Sequence, residues 1–73
     1  MDAIKTGSFI GTLRREQGLT QQQLAEQLLV SDKAVSKWET GRGLPDIGNL
    51  ERLAQALGTS VAELLHGERI AKP

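Results

Sequence analysis

Thr20–Gly41, TQQQLAEQLLVSDKAVSKWETG, holds two helix starts and one helix stop in a single short stretch. Thr20 and Gln23 have the T-x-x-Q spacing of a capping box. In that box the Thr20 hydroxyl accepts the Gln23 N–H, and the Gln23 side chain reaches back. Leu19 and Leu24 stand at the flanking staple positions. Leu24, Ala25 and Leu28 share one face of the resulting helix, while Gln22, Glu26 and Gln27 fall on the solvated side. Ser31 is a suitable N-cap for a second short helix, with Val35 and Trp38 inward at i, i+3. Asp32, Lys33, Ser36 and Lys37 then occupy a different face, and Gly41 ends the helix. The stretch reads as two short helices joined by a tight turn at Leu29.

Similar punctuation extends outward from it. Gly18, Gly43, Gly58 and Gly67 each follow an apolar-periodic segment, as helix-ending residues do. A first helix is expected from about Thr6 to Gln17, with Phe9, Ile10 and Leu13 on one face. Gly11 within it costs about 1 kcal/mol relative to alanine, so this helix depends on packing. Asp46, after Pro45, caps a fourth helix whose apolar stripe is Ile47, Leu50, Leu53, Ala54 and Leu57. Ser60 and Glu63 have capping-box spacing at a fifth, with Val61, Leu64 and Leu65 expected in the core. From Glu68 the periodicity stops, so residues 68–73 read as a tail or the start of a linker. The fold class is all-α, a five-helix domain over residues 1–67 with no strand signal, repeat or low-complexity tract.

Composition limits what such a domain can do. At 73 residues it is one domain, able to bury only about 60% of its unfolded surface. It has no cysteine and a single histidine, His66, so neither disulfides nor a cysteine–histidine zinc site supports the core. The N-terminus, MDAIKTGSF, lacks a signal-peptide pattern. No apolar run approaches the ~20 residues of a membrane span. A cytoplasmic protein without membrane contact is expected. Nine basic and nine acidic side chains cancel, which argues against a strongly electrostatic polyanion binder. Their distribution is uneven, however. Lys33, Lys37 and Arg42 cluster, whereas most acids lie on other elements, Asp32 and Glu39 excepted.

From about Phe9 to Gly67 the chain resembles the helix-turn-helix domain of the phage-repressor and Cro family, also called the xenobiotic-response-element family. The residues carrying the resemblance are LRREQGLTQQQLA, VSDKAVSKWETG, LPD, LAQALG and SVAELL, in that order. Each piece is weak alone; together at these spacings they point to the family but not to an operator. The resemblance implies a compact lambda-repressor-like DNA-binding domain, with the helix-turn-helix at 20–41. A recognition helix at about 31–39 would enter the major groove of double-stranded DNA. Carried over, the base-reading positions are Ser31, Asp32, Lys33, Ser36 and Lys37. The phosphate positions are Thr20, Gln21, Thr40 and Arg42. Arg14 and Glu39 match a structural pair joining helix one to the end of helix three. Where relatives often have glycine in the turn, this chain has Leu29. A left-handed Leu29, strained by roughly 1–3 kcal/mol, or a reshaped turn is therefore expected.

The residue chemistry agrees. Lysines at i and i+4 project together, and lysine donates to guanine O6 and N7. Gln21 opens helix two, where free N–H groups and the dipole favour a phosphate. Asp32 either accepts from cytosine N4 or simply favours the helix N-terminus electrostatically; both readings stand. Without the surrounding motif, Lys33 and Lys37 would be an ordinary solvated face. Trp38 suits the core better than base stacking, and His66, even with Glu63 nearby, makes no site. No residue set suggests an enzyme or a cofactor. The expected role is a prokaryotic or phage transcriptional regulator, a repressor in the first instance, acting as a homodimer at least on a two-fold operator. Leu44, Val61 to Leu65 and Ile70 are candidate dimer contacts, and relatives suggest a C-terminal effector domain in a longer parent. The rival is a protein-interaction module, such as an antitoxin-like partner, using the same bundle.

Overall fold

Each helix begins with a side chain that accepts hydrogen bonds from its own first turn. In the computed structural model, which describes residues 1–70, these caps are Asp2, Thr20, Ser31, Asp46 and Ser60. They open α1 (Ala3–Glu16), α2 (Gln21–Leu28), α3 (Asp32–Glu39), α4 (Ile47–Leu57) and α5 (Val61–His66). A cap satisfies donors that a helix cannot satisfy internally. Thr20 forms the full capping box: its hydroxyl accepts Gln23 N–H at 3.0 Å, and Gln23 Oε1 accepts Thr20 N–H at 2.9 Å. The all-α reading holds for the described residues.

The apolar faces meet in one core. Ile10, Leu24, Leu28, Val35, Leu53, Leu57 and Leu64 are fully buried, and Phe9, Leu13, Trp38 and Leu50 complete it. Helix α3 packs between α1 and α2, α4 lies against α2, and α5 ties α1 to α4. The Thr6 hydroxyl, itself buried, donates to Leu64 O at 2.8 Å and links α1 to α5. Gly7 lets α1 come very close to the end of α3, because a Cβ there would overlap Trp38 O.

Several expectations need correction. Helix α1 starts at Ala3 rather than near Thr6, because Asp2 accepts from Ile4 N–H and Lys5 N–H and nucleates an earlier turn. Ile47 does not join the core; it is 73% exposed. It is the first residue of α4, where side chains lean toward the helix N-terminus and past the packed layer. Leu65 is likewise exposed, leaving Leu64 as the fully buried residue of α5. At α5 only half of the capping box forms. Ser60 Oγ accepts Glu63 N–H at 3.1 Å, but the Glu63 carboxylate turns to the Thr59 hydroxyl at 2.6 Å and Ile70 N–H at 2.9 Å. Those bonds, the Thr59 hydroxyl first, hold the Glu63 carboxyl below its ordinary range.

Beyond α5, Arg69 pairs with Glu16, which raises the guanidinium pKa, and Lys5 pairs with Glu68 at 3.6 Å. These are exposed surface pairs, contributing little to stability. The expected tail or linker also includes residues 71–73, which lie outside the described residues.

Candidate nucleic-acid interface

Helix α3 is held from behind and bare in front. Val35 and Trp38 anchor its inner face, while Asp32, Lys33 and Lys37 are exposed and Ser36 is half-buried. Spacings of three and four residues put Ser36 and Lys37 beside Lys33, and Asp32, four residues before Ser36, borders the same side of the helix. Ser31 begins the helix rather than standing on its face. Its Oγ accepts Ala34 N–H at 3.2 Å, which leaves its own hydroxyl proton available.

The end of α3 is fixed by one carboxylate. Arg14 Nε donates to Glu39 Oε2 at 2.7 Å, and Arg14 Nη2 to Glu39 Oε1 at 3.1 Å. This is the bidentate arrangement a guanidinium favours. Arg14 Nη1 also donates to Leu19 O at 2.8 Å, just before α2. The Glu39 hydrogen bonds hold the Arg14 guanidinium above its usual pKa. Gln21 completes the cluster, its side-chain amide donating to Glu39 Oε1 at 3.1 Å. Thus α1, the start of α2 and the end of α3 converge on Glu39. The negative charge of Glu39 is matched by Arg14 in a site where both side chains are mostly buried, at 12% and 9% exposure.

The positions matched to phosphate contacts divide into two groups. At α2, Thr20 already serves Gln23 and Leu24, leaving the outward N–H groups of Gln21 and Gln22 at the positive end of the helix dipole. At the end of α3, Thr40 Oγ1 donates to Ser36 O at 2.9 Å and accepts from Arg42 Nε at 3.0 Å. The hydroxyl therefore orients Arg42, whose remaining guanidinium donors face outward from an exposed residue. The Gln21–Glu39 bond and the close approach at Gly7 are not legible in the sequence. Neither has a local signal, because each depends on how separate helices meet.

The turn between α2 and α3 is left-handed at Leu29, with φ 58° and ψ 40°. Of the two expectations for it, the left-handed one is found. Leu29 is 88% exposed, so its side chain contributes almost nothing to the core.

This arrangement of capped helix, left-handed turn and supported outer helix is matched by the sequence profile described as Helix-turn-helix, over residues 10–64. The chain belongs to the helix-turn-helix family. Within the family it is 47% identical over 58 residues to the HTH-type transcriptional activator BcrR of Enterococcus faecalis, covering 80% of this chain and 28% of that protein. It is 39% identical over 61 residues to the cryptic phage CTXphi transcriptional repressor RstR of Vibrio cholerae, covering 84% and 54% respectively. The chain therefore spans just over a quarter of the activator and about half of the repressor. Its fold superposes on the DNA-binding domain of the P22 C2 repressor with a TM-score of 0.80 at 32% identity, covering 89% of this chain and 86% of that one. No helix among the described residues is long and apolar enough to cross a membrane.

Proposed function

We propose that this helix-turn-helix domain binds double-stranded DNA sequence-specifically as a transcriptional regulator, with α3 in the major groove. The observation that carries this is the exposed Asp32–Lys33–Ser36–Lys37 side of a helix whose other side is locked by Val35, Trp38 and Glu39. A reading helix must present free donors from a rigid frame, and this one does. Lys33, Ser36 and Lys37 read bases, with Ser31 and Asp32 at the entering end. Thr20 and Gln21 place the α2 N-terminus on a phosphate, and Thr40 aims Arg42 at another. Arg14 and Glu39 act structurally, keeping α3 in register with α2.

The domain works as a pair on a two-fold operator, with half-sites about one helical turn apart. Leu44, Leu65 and Ile70 are exposed and supply apolar contacts for that pairing; Leu64 is buried and does not. Residues 1–67 form the binding unit, and the segment from Glu68 serves as a tail or the start of a linker, toward an effector domain if the parent protein is longer. The domain acts in the cytoplasm, as a transcriptional repressor in the first instance, the role named for its phage relative RstR. Zero net charge limits the number of phosphate contacts and predicts a shallow salt dependence.

Selection from random duplexes, followed by titration, tests the proposal. One sequence with two-fold symmetry should emerge, and Lys33→Ala plus Lys37→Ala should weaken binding to it by at least about tenfold. Unchanged binding by the double variant would remove α3 as the reading helix. A protein that enriches no duplex and captures a protein partner instead would be an interaction module.

A further inference from the structure

Lys37 does not stand clear of the domain. A Cβ placed on Gly43, in the α3–α4 loop, would lie 2.8 Å from Lys37 Cε, 3.3 Å from Cδ and 3.5 Å from Cγ. The lysine stem therefore runs along the glycine over consecutive methylenes rather than touching it at one point. Lys37 O also accepts Arg42 N–H at 3.0 Å, so the loop beneath the side chain is tied to the backbone of the same residue. The residue is still exposed, as expected when an aliphatic stem lies on the protein and the ammonium stays in water. Gly43 is not among the residues with a left-handed backbone. Its conformation does not demand glycine; the path of the lysine stem does.

We propose that Gly43 is a positioning residue for Lys37, its missing Cβ providing the track that sets which base pair the ammonium reaches. The inference rests on the reading of α3 as the recognition helix. Lysine is a point charge on a flexible stem, and a free stem would spread its preference over neighbouring bases. A stem laid along Gly43 loses less freedom on binding and reaches one place. The atoms a new Cβ would meet are the far end of a flexible side chain. Gly43→Ala therefore redirects Lys37 without disturbing the helices.

The test compares Gly43→Ala, Lys37→Ala and the double variant by duplex selection and titration at one salt concentration. Lys37→Ala should flatten the preference at one base pair. Gly43→Ala should reduce the preference at that same pair by about tenfold, with the melting temperature and the affinity for unrelated duplex unchanged. In the Lys37→Ala background it should have no further effect. Wild-type preference in Gly43→Ala, or an equal effect without Lys37, overturns the inference and leaves the parent reading standing. So does the absence of proton–proton contacts between the Lys37 stem and Gly43 in NMR spectra of the free protein. A wild-type protein that binds no duplex removes the parent reading and this inference together.

Discussion

At the end of α2, Val30 N–H reaches back to Ala25 O at 3.0 Å and Leu29 N–H to Glu26 O at 3.3 Å. At the end of α3, Arg42 N–H reaches Lys37 O at 3.0 Å and Gly41 N–H reaches Trp38 O at 3.1 Å. Both are the paired bonds of a Schellman motif around one left-handed residue. That residue is Leu29, at φ 58°, in the first turn and Gly41, at φ 74°, in the second. Surroundings separate them. Leu29 projects into solvent at 88% exposure. A Cβ on Gly41 would lie 2.8 Å from Ile4 Cγ1 and 3.1 Å from Ile4 Cα. A side chain at the first turn meets only the torsional penalty; at the second it meets that penalty and the wall of α1. A leucine is tolerable in one turn and excluded from the other for this reason.

The largest effect should come from Gly41→Ala. Left-handed strain of roughly 1–2 kcal/mol adds to overpacking of about 1–3 kcal/mol against Ile4, so urea denaturation should show a loss of about 2–5 kcal/mol. A loss under about 1 kcal/mol would mean that α1 yields easily and that the two turns are equivalent. Leu29→Gly should be smaller and opposite in sign. Relief of strain, offset by the greater freedom of glycine in the unfolded chain, leaves a gain of about 0.5–1 kcal/mol, visible as a raised melting temperature. A clear destabilisation would show that the leucine has a packing role its exposure denies. Leu29→Ala should move stability least, within about 0.5 kcal/mol, because it keeps the backbone penalty and removes a side chain that packs on little. A larger change in the same melting assay would point to an apolar contact for Leu29 in solution.

Much of this molecule was legible in its sequence because its signals are local. The Thr20–Gln23 box, the Ser31 and Asp46 caps and the inward faces of α2 and α3 involve residues within one or two turns of each other. The Asp2 cap is equally local, and it starts α1 at Ala3, a turn before the expected Thr6. Periodicity points Ile47 and Leu65 toward the core, yet they lie at helix ends or margins where no neighbour covers them. Periodicity gives the direction of a side chain and is silent on whether another element stands there. Glu63 matched its capping-box spacing, but the carboxylate found better donors in Thr59 and Ile70 once the chain had folded back. At the candidate interface, the reading side of α3 follows from spacing. The route of Lys37 over Gly43 and the tethering of Arg42 by Thr40 do not.

For Thr20–Gly41 the sequence alone determined two capped helices, a turn forced through Leu29 and lysines one helical turn apart, since each follows from bonds and spacings within a few residues. Only the tertiary structure decided that Glu39 gathers Arg14 and Gln21 from two other helices. It alone set Gly7 against Trp38 and Gly41 against Ile4. Those contacts join residues far apart in the chain, and their existence depends on the distance and angle at which whole helices pack.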